Sequence, residues 1–221
     1  ESRSGTFTLE VKEFTPPTNG KCATPKAVDL TKGGKVQIKG TTFGAKNEYG
    51  DKIKCAEYSA VDGPQAYYRL TTTPGTTYKF SLTASFTSAR MYIFGTTCDA
   101  QKIESECASK GQFGDYVYTS SYSPRPLYFK AGGSSYTLAV DSTSDNYAGD
   151  FTLDIEEFTP PANGTCSAPK PLTFSSGKAV ATGDTSGVPN EYGTSINCGN
   201  YKAILYGNQL YYRLSAAAGK S

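Results

Sequence analysis

The sequence contains no histidine and no tryptophan, and only one methionine. The missing histidine removes the commonest general base, the commonest zinc ligand and every Ser–His or Cys–His nucleophile pair. Charge of one sign is also lacking. Lys and Arg number 22 against 20 Asp and Glu, for a formal charge of +2. That balance gives no field to capture nucleic acid or an anionic membrane. No apolar run is long enough to span a bilayer. There is no initial Met and no basic-then-apolar leader, so the chain reads as a mature chain or a fragment.

What is present points to strands. Tyr (17) and Phe (11) are abundant, and Gly (23) and Pro (12) punctuate the chain at short intervals. Aromatic and β-branched residues suit a pleated, half-buried surface, and the Gly/Pro clusters suit turns. Phe7, Leu9 and Val11 alternate with Thr8, Glu10 and Lys12, as do Tyr78, Phe80, Leu82 and Tyr136, Leu138, Val140 with their neighbours. No sustained 3.6-residue apolar period is visible. The expectation is an all-β sandwich.

An internal repeat organises the chain. Residues 7–26 (FTLEVKEFTPPTNGKCATPK) match residues 151–170 (FTLDIEEFTPPANGTCSAPK) at 13 of 20 positions. The offset of 144 becomes 143 through Asn47-Glu48-Tyr49-Gly50 against Asn190-Glu191-Tyr192-Gly193, and returns to 144 at Tyr67-Tyr68-Arg69-Leu70 against Tyr211-Tyr212-Arg213-Leu214. A period of domain size implies beads on a string. Residues 1–14 then read as the last strand of a preceding module, 15–158 as one complete module, and 159–221 as a linker and the first half of the next. The linker, Phe-Thr-Pro-Pro-x-Asn-Gly, combines a stiff polyproline step with a tight turn.

The six cysteines suggest compartment. Cys166 and Cys198 correspond to Cys22 and Cys55. If that pair closes on itself, the expected bridges are Cys22–Cys55, Cys166–Cys198 and, by remainder, Cys98–Cys107. Metal ligation is disfavoured, since there is neither His nor C-x-x-C. An oxidising, extracellular or cell-surface location follows.

The strand order from Gln65-Ala66-Tyr67-Tyr68-Arg69-Leu70 through Pro74-Gly75, Arg90-Met91-Tyr92-Ile93-Phe94 and Gly132-Gly133 to Gly149-Asp150-Phe151 resembles the bacterial pre-peptidase C-terminal domain. The likeness is to the Cys-containing versions repeated in secreted and surface proteins. That resemblance implies a jelly-roll-like sandwich with an accessory or adhesive role. Some members bind calcium through acidic residues, but the acidic pair preceding the Tyr/Phe strand is replaced here by Pro64-Gln65-Ala66.

Candidate sites are few. Asp141, Asp145 and Asp150 fall within ten residues and suit calcium by chemistry. The first strand, however, carries Thr6 and Glu1 where Asp150 and Asp145 sit, which favours a solvated hairpin loop. Asn47-Glu48-Tyr49-Gly50 recurs in both copies and is expected to be a turn with Gly50 at positive φ over a packed Tyr49, rather than a ligand site. Glu104/Glu106 and Glu156/Glu157 read as exposed charges of strands and loops. Of Tyr67 and Tyr68, one on each sheet face, one is expected in the core. Tyr116, Tyr118, Tyr122 and Tyr128 form an adhesive surface, an intermodule contact or loop packing. Asn163-Gly164-Thr165 is a candidate N-glycosylation sequon that the other copy, Asn19-Gly20-Lys21, lacks. No catalytic, cofactor or metal residue is expected.

The functional expectation is a non-enzymatic structural module of a long extracellular protein, a surface filament or adhesin stalk. Its partners would be its own neighbours and an extracellular polysaccharide or matrix, with no nucleic acid and no membrane span. The alternative is an accessory substrate-binding region of a secreted peptidase or other hydrolase. On either reading, residues 162–221 supply only the first strands of a sandwich. They need completion by more chain or by a neighbour's strands.

Overall fold

The computed structural model describes residues 5–11, 13–50, 53–55, 58–60, 62–109, 126–188, 191, 196–198, 201–203 and 207–215; at 54–55, 58–60, 107–109, 196–198 and 201–203 the description is of the backbone alone. Two four-stranded sheets face each other. The first orders β1 (Lys26–Asp29), β5 (Ala66–Thr71), β9 (Ser135–Ser142) and β7 (Ala89–Phe94), with β1 parallel to β5 and the rest antiparallel. The second orders β2 (Lys35–Thr41), β10 (Asp150–Phe158), β6 (Thr77–Ala84) and β8 (Leu127–Lys130), all antiparallel. The architecture is thus an all-β sandwich.

The period-2 pattern decides what lies between the sheets. Phe151, Leu153 and Ile155 of β10, Phe80 and Leu82 of β6, and Ile38 of β2 meet Tyr68, Leu70, Met91, Ile93, Leu138 and Val140 of the first sheet. Each such side chain is worth about 1.5–3 kcal/mol when buried. Gly40 of β2 is required by this packing. A Cβ there would overlap the Tyr68 hydroxyl and the Phe151 ring, which stand edge to face at 6.3 Å.

The first sheet is covered on both faces, so both tyrosines of the first pair, and not only the one expected, lie in the core. Tyr67 (0% exposed) and Tyr68 (1%) are both buried. Tyr67, Tyr92, Phe94 and Ala139 face a second cluster containing Cys22, Tyr49, Ile53 and Ile103. Ile103 belongs to α1 (Ala100–Ser109), which packs on β3 (Ile53–Cys55). β3 itself pairs with β4 (Tyr58–Ala60). The segment carrying Glu104 and Glu106, read from sequence as strand or loop, is thus a helix. Asp99 caps the helix, its Oδ1 accepting the Lys102 N–H at 2.9 Å, a contribution of about 1 kcal/mol. With Ile103 the one large apolar side chain on α1, the sequence shows no periodic stripe to betray a helix.

The second copy forms less. β11 (Lys170–Leu172) lies parallel to β14 (Tyr212–Leu214), pairing Lys170 with Tyr212 as Lys26 pairs with Tyr68. β12 (Ile196–Cys198) and β13 (Tyr201–Ala203) repeat the β3–β4 hairpin. Residues 178–184, aligned with β2, are not a strand. Their counterpart β2 pairs with β10, and no copy of β10 stands beside 178–184 among the described residues. A lone strand without a ladder partner does not persist in water.

Candidate functional site at the junction of the repeats

The Pro-Pro-x-Asn-Gly segment is a clamp built twice. Asn19 Nδ2 donates to the Tyr67 carbonyl at 2.9 Å, while the Tyr67 N–H donates to the Asn19 carbonyl at 2.8 Å. In the second copy Asn163 makes the same pair with Tyr211, at 3.0 and 2.9 Å. Gly20 and Gly164 close the turn onto Pro17 and Pro161, at 3.2 and 3.1 Å. The linker is thereby stitched to the strand that follows it. Asn163 uses its Nδ2, the atom a glycan would occupy, to hold Tyr211.

Glu48 extends the clamp. Its Oε2 accepts the Cys22 N–H at 2.8 Å, and its own N–H donates to Gln65 Oε1 at 2.7 Å. Glu191 repeats both bonds with Cys166 and Gln209, at 2.7 and 2.9 Å. Gln65 Nε2 bonds the Gly63 carbonyl and Asn47 Oδ1, and Asn47 Oδ1 also accepts the Gly50 N–H at 2.7 Å. Gly50 has φ +60°, and Tyr49 is buried with its hydroxyl on the Cys98 carbonyl at 3.0 Å. Burial, with the Glu48 charge nearby, pushes that phenol well above its usual range. These side chains are taken up by the chain itself, as a turn requires.

An aromatic joint spans the linker. Phe158, the last residue of β10, packs on Tyr128 at 4.7 Å between centroids, the rings tilted by 59°. A Cβ on Gly187 would overlap both rings, and Gly187 has φ +68°, so only glycine fits. Phe14 is the counterpart of Phe158 and Gly44 (φ +69°) that of Gly187; Phe14 packs over Gly44 and against Phe43 at 6.3 Å. Phe14 remains 51% exposed. Tyr128 therefore takes part in a contact across the linker, whereas Tyr116, Tyr118 and Tyr122 lie outside the described residues.

The disulfide differs from expectation. Cys22 bonds Cys98, not Cys55, across 76 residues. Cys98–Cys107 is excluded with it, and Cys166 is a free, exposed thiol rather than the partner of Cys198. The physical reason is layering. Cys22 and Cys98 share the second cluster on the outer face of the first sheet, which contacts distant in sequence create. Closing a loop of that length stabilises by about 4 kcal/mol in the chain-entropy view. Recurrence of Cys22 and Cys55 as Cys166 and Cys198 constrains which positions repeat, not which sulfurs meet.

The acidic candidates are not brought together. Asp145 and Asp150 are exposed, whereas Asp141 is fully buried rather than in a solvated loop, facing the Gly63 and Asp62 backbone. Burial holds its pKa well above the usual carboxylate range, partly offset by Arg90 across the ladder. No group of three metal-ligating side chains occurs among the described residues. Glu104 and Glu106 lie on α1, where Glu106 Oε2 accepts the Gly95 N–H at 2.8 Å. Glu156 is paired with Lys79 at 2.7 Å, which lowers its pKa. Asp62, near Asp141, was missed from sequence, since only the tertiary fold sets the two side by side.

No protein-family model and no curated protein matches the chain. Among solved structures, PliG of Aeromonas hydrophila, a periplasmic inhibitor of g-type lysozyme, is 13% identical with a TM-score of 0.37, covering 60% of this chain and 96% of that one. PliG of Salmonella Typhimurium is 18% identical with a TM-score of 0.31, covering 61% and 100%. The chain is similar as well to the pre-peptidase C-terminal domain of collagenase from Bacillus anthracis, at 14% identity and a TM-score of 0.38, covering 60% of this chain and 94% of that domain.

Proposed function

We propose that the chain is a non-enzymatic structural segment of a long extracellular protein, a surface filament or adhesin stalk. In this reading residues 15–158 are one module, 1–14 end the module before it, and 159–221 begin the next. The observation that carries the reading is a solvent-exposed copy of a core strand. Phe7, Leu9 and Val11 are 88%, 76% and 83% exposed, while the aligned Phe151, Leu153 and Ile155 are at most 3% exposed. Such an apolar alternation in water invites a sheet to receive it. The doubled Asn–Tyr clamp and the Phe158 joint support a stiff, repeated spacing between modules. The Cys22–Cys98 bond supports an oxidising compartment.

The test is completion. A chain lengthened after Ser221 by a copy of residues 78–158 supplies every strand the second module lacks. Amides of residues 178–184 should then exchange slowly with solvent, as those of β2 do, and the lengthened chain should unfold as two like units. Fast exchange at 178–184 in the lengthened chain would overturn the reading.

A further inference from the structure

We infer that Cys55 and Cys107 form a second disulfide, so that each module carries two bonds running from its first half to the helix region. With Cys22 and Cys98 joined, Cys55 and Cys107 are the two remaining cysteines of residues 15–158. The fold places them on facing elements. Cys55 ends β3 and Cys107 lies on α1, and α1 packs against β3. Register aligns them further. Cys55 is two residues after Ile53, the spacing that returns to one face of a strand. Cys107 is four after Ile103, the spacing that returns to one face of a helix. Ile53 (0% exposed) and Ile103 (1%) belong to the same buried cluster, which also holds Cys22 and Cys98.

The same connectivity explains the second copy. Cys166 and Cys198 occupy the places of Cys22 and Cys55, whose partners lie at 98 and 107. Cys166 is a free thiol and Cys198 lies in the β12–β13 hairpin, so the second copy, like the first, does not join these two positions. The inference does not depend on the filament reading, since it concerns bonds within one module.

The chemistry is thiol–disulfide exchange with a donor disulfide of small-molecule or protein type. One thiolate attacks the donor and releases its first thiol. The second cysteine then displaces the remaining donor half, so the donor leaves as two thiols carrying the two electrons.

The experiment alkylates the oxidised 221-residue chain in denaturant without reductant, then maps its peptides by mass spectrometry. The expected result is cross-linked peptides Cys22–Cys98 and Cys55–Cys107, with the label on Cys166 and Cys198. Label on Cys55 or Cys107, or a bond from Cys55 to any other cysteine, would overturn the inference. A Cys166–Cys198 bond would overturn its extension to the second copy. As a second readout, Cys55→Ser should raise the label count by one, on Cys107 alone. A count that does not rise, or new label elsewhere, would refute the pairing.

Discussion

Residues 6–11 and 150–155 are nearly the same strand in two surroundings. Flanked by β2 and β6, the second copy seats Phe151, Leu153 and Ile155 in the core. Outside any ladder, the first leaves Phe7, Leu9 and Val11 in water and forms no strand. The same contrast separates β2 from residues 178–184. By comparison, the Asn–Gly clamp, the Glu48 and Glu191 bonds and the short β3-like hairpins form in both copies. Interactions closed within the first half of the repeat form in both copies. Ladders that need a strand from outside it do not. Strand propensity and alternation are nearly equal in residues 6–11 and 150–155, so the partner strands supply that difference. In 178–184 the smaller Ala179 and Ala181 also stand in the places of Val36 and Ile38.

Four tests, three of them paired substitutions, sharpen or break this contrast. The largest effect is expected at Phe151, where Phe151→Ala should cost about 3–5 kcal/mol by loss of burial plus a cavity. Phe7→Ala in the same chain should change stability by less than about 0.5 kcal/mol, as an exposed site does. Urea titrations of both variants make the comparison, and equal losses would mean that the two strands are equally buried in solution.

Next is the long-range bond. Cys98→Ser should lower stability by about 2–5 kcal/mol, with reductant producing no further loss at this bond. Differential scanning calorimetry with and without dithiothreitol measures both. Cys166→Ser, at a free exposed thiol, should leave the melting curve unchanged.

Gly40→Ala is expected to cost about 1–3 kcal/mol, because the new methyl group overlaps Tyr68 and Phe151. Among the described residues Gly183→Ala meets Leu210 and the Tyr212 hydroxyl, with no ring in the place of Phe151. Its cost in thermal unfolding should be the smaller of the two, and a reversal of that order would contradict the open-half geometry.

The smallest effect is pH-dependent. Asp141 has a folded pKa raised by burial, so its contribution is fully present below the unfolded value near 3.8 and is lost as pH rises through the folded value. Asp141→Asn should therefore remove that loss. The variant should match the parent in the acid limit and be the more stable at pH 7, as read from chemical denaturation at the two pH values. A variant less stable at pH 7 would mean that the carboxylate is ionised and paired with Arg90.

Local pattern accounts for what was legible beforehand. Alternation in β6, β9 and β10, turn glycines such as Gly75 (φ +87°) and Gly50, and the repeat itself are written in short stretches of sequence. The fold class and the Asn47–Gly50 turn follow from them. The helix α1 was hidden because a ten-residue segment with one large apolar side chain has no period to detect. Burial of both Tyr67 and Tyr68 was hidden because alternation names two faces without saying that both are covered.

The sequence by itself determined strands such as β6, β9 and β10 and turns such as that at Gly50, set by residues within a few positions of one another, and it displayed the repeat and the lack of histidine directly. Tertiary structure alone decided that Cys22 meets Cys98, that α1 covers the outer face of the first sheet beside β3, that Asp141 lies buried near Asp62, and that Phe158 spans the linker to Gly187. Each of these joins residues far apart in the chain, mostly through packing that no local period encodes. The same cause separates Phe7 from Phe151: equal sequences differ in burial because burial belongs to the neighbours.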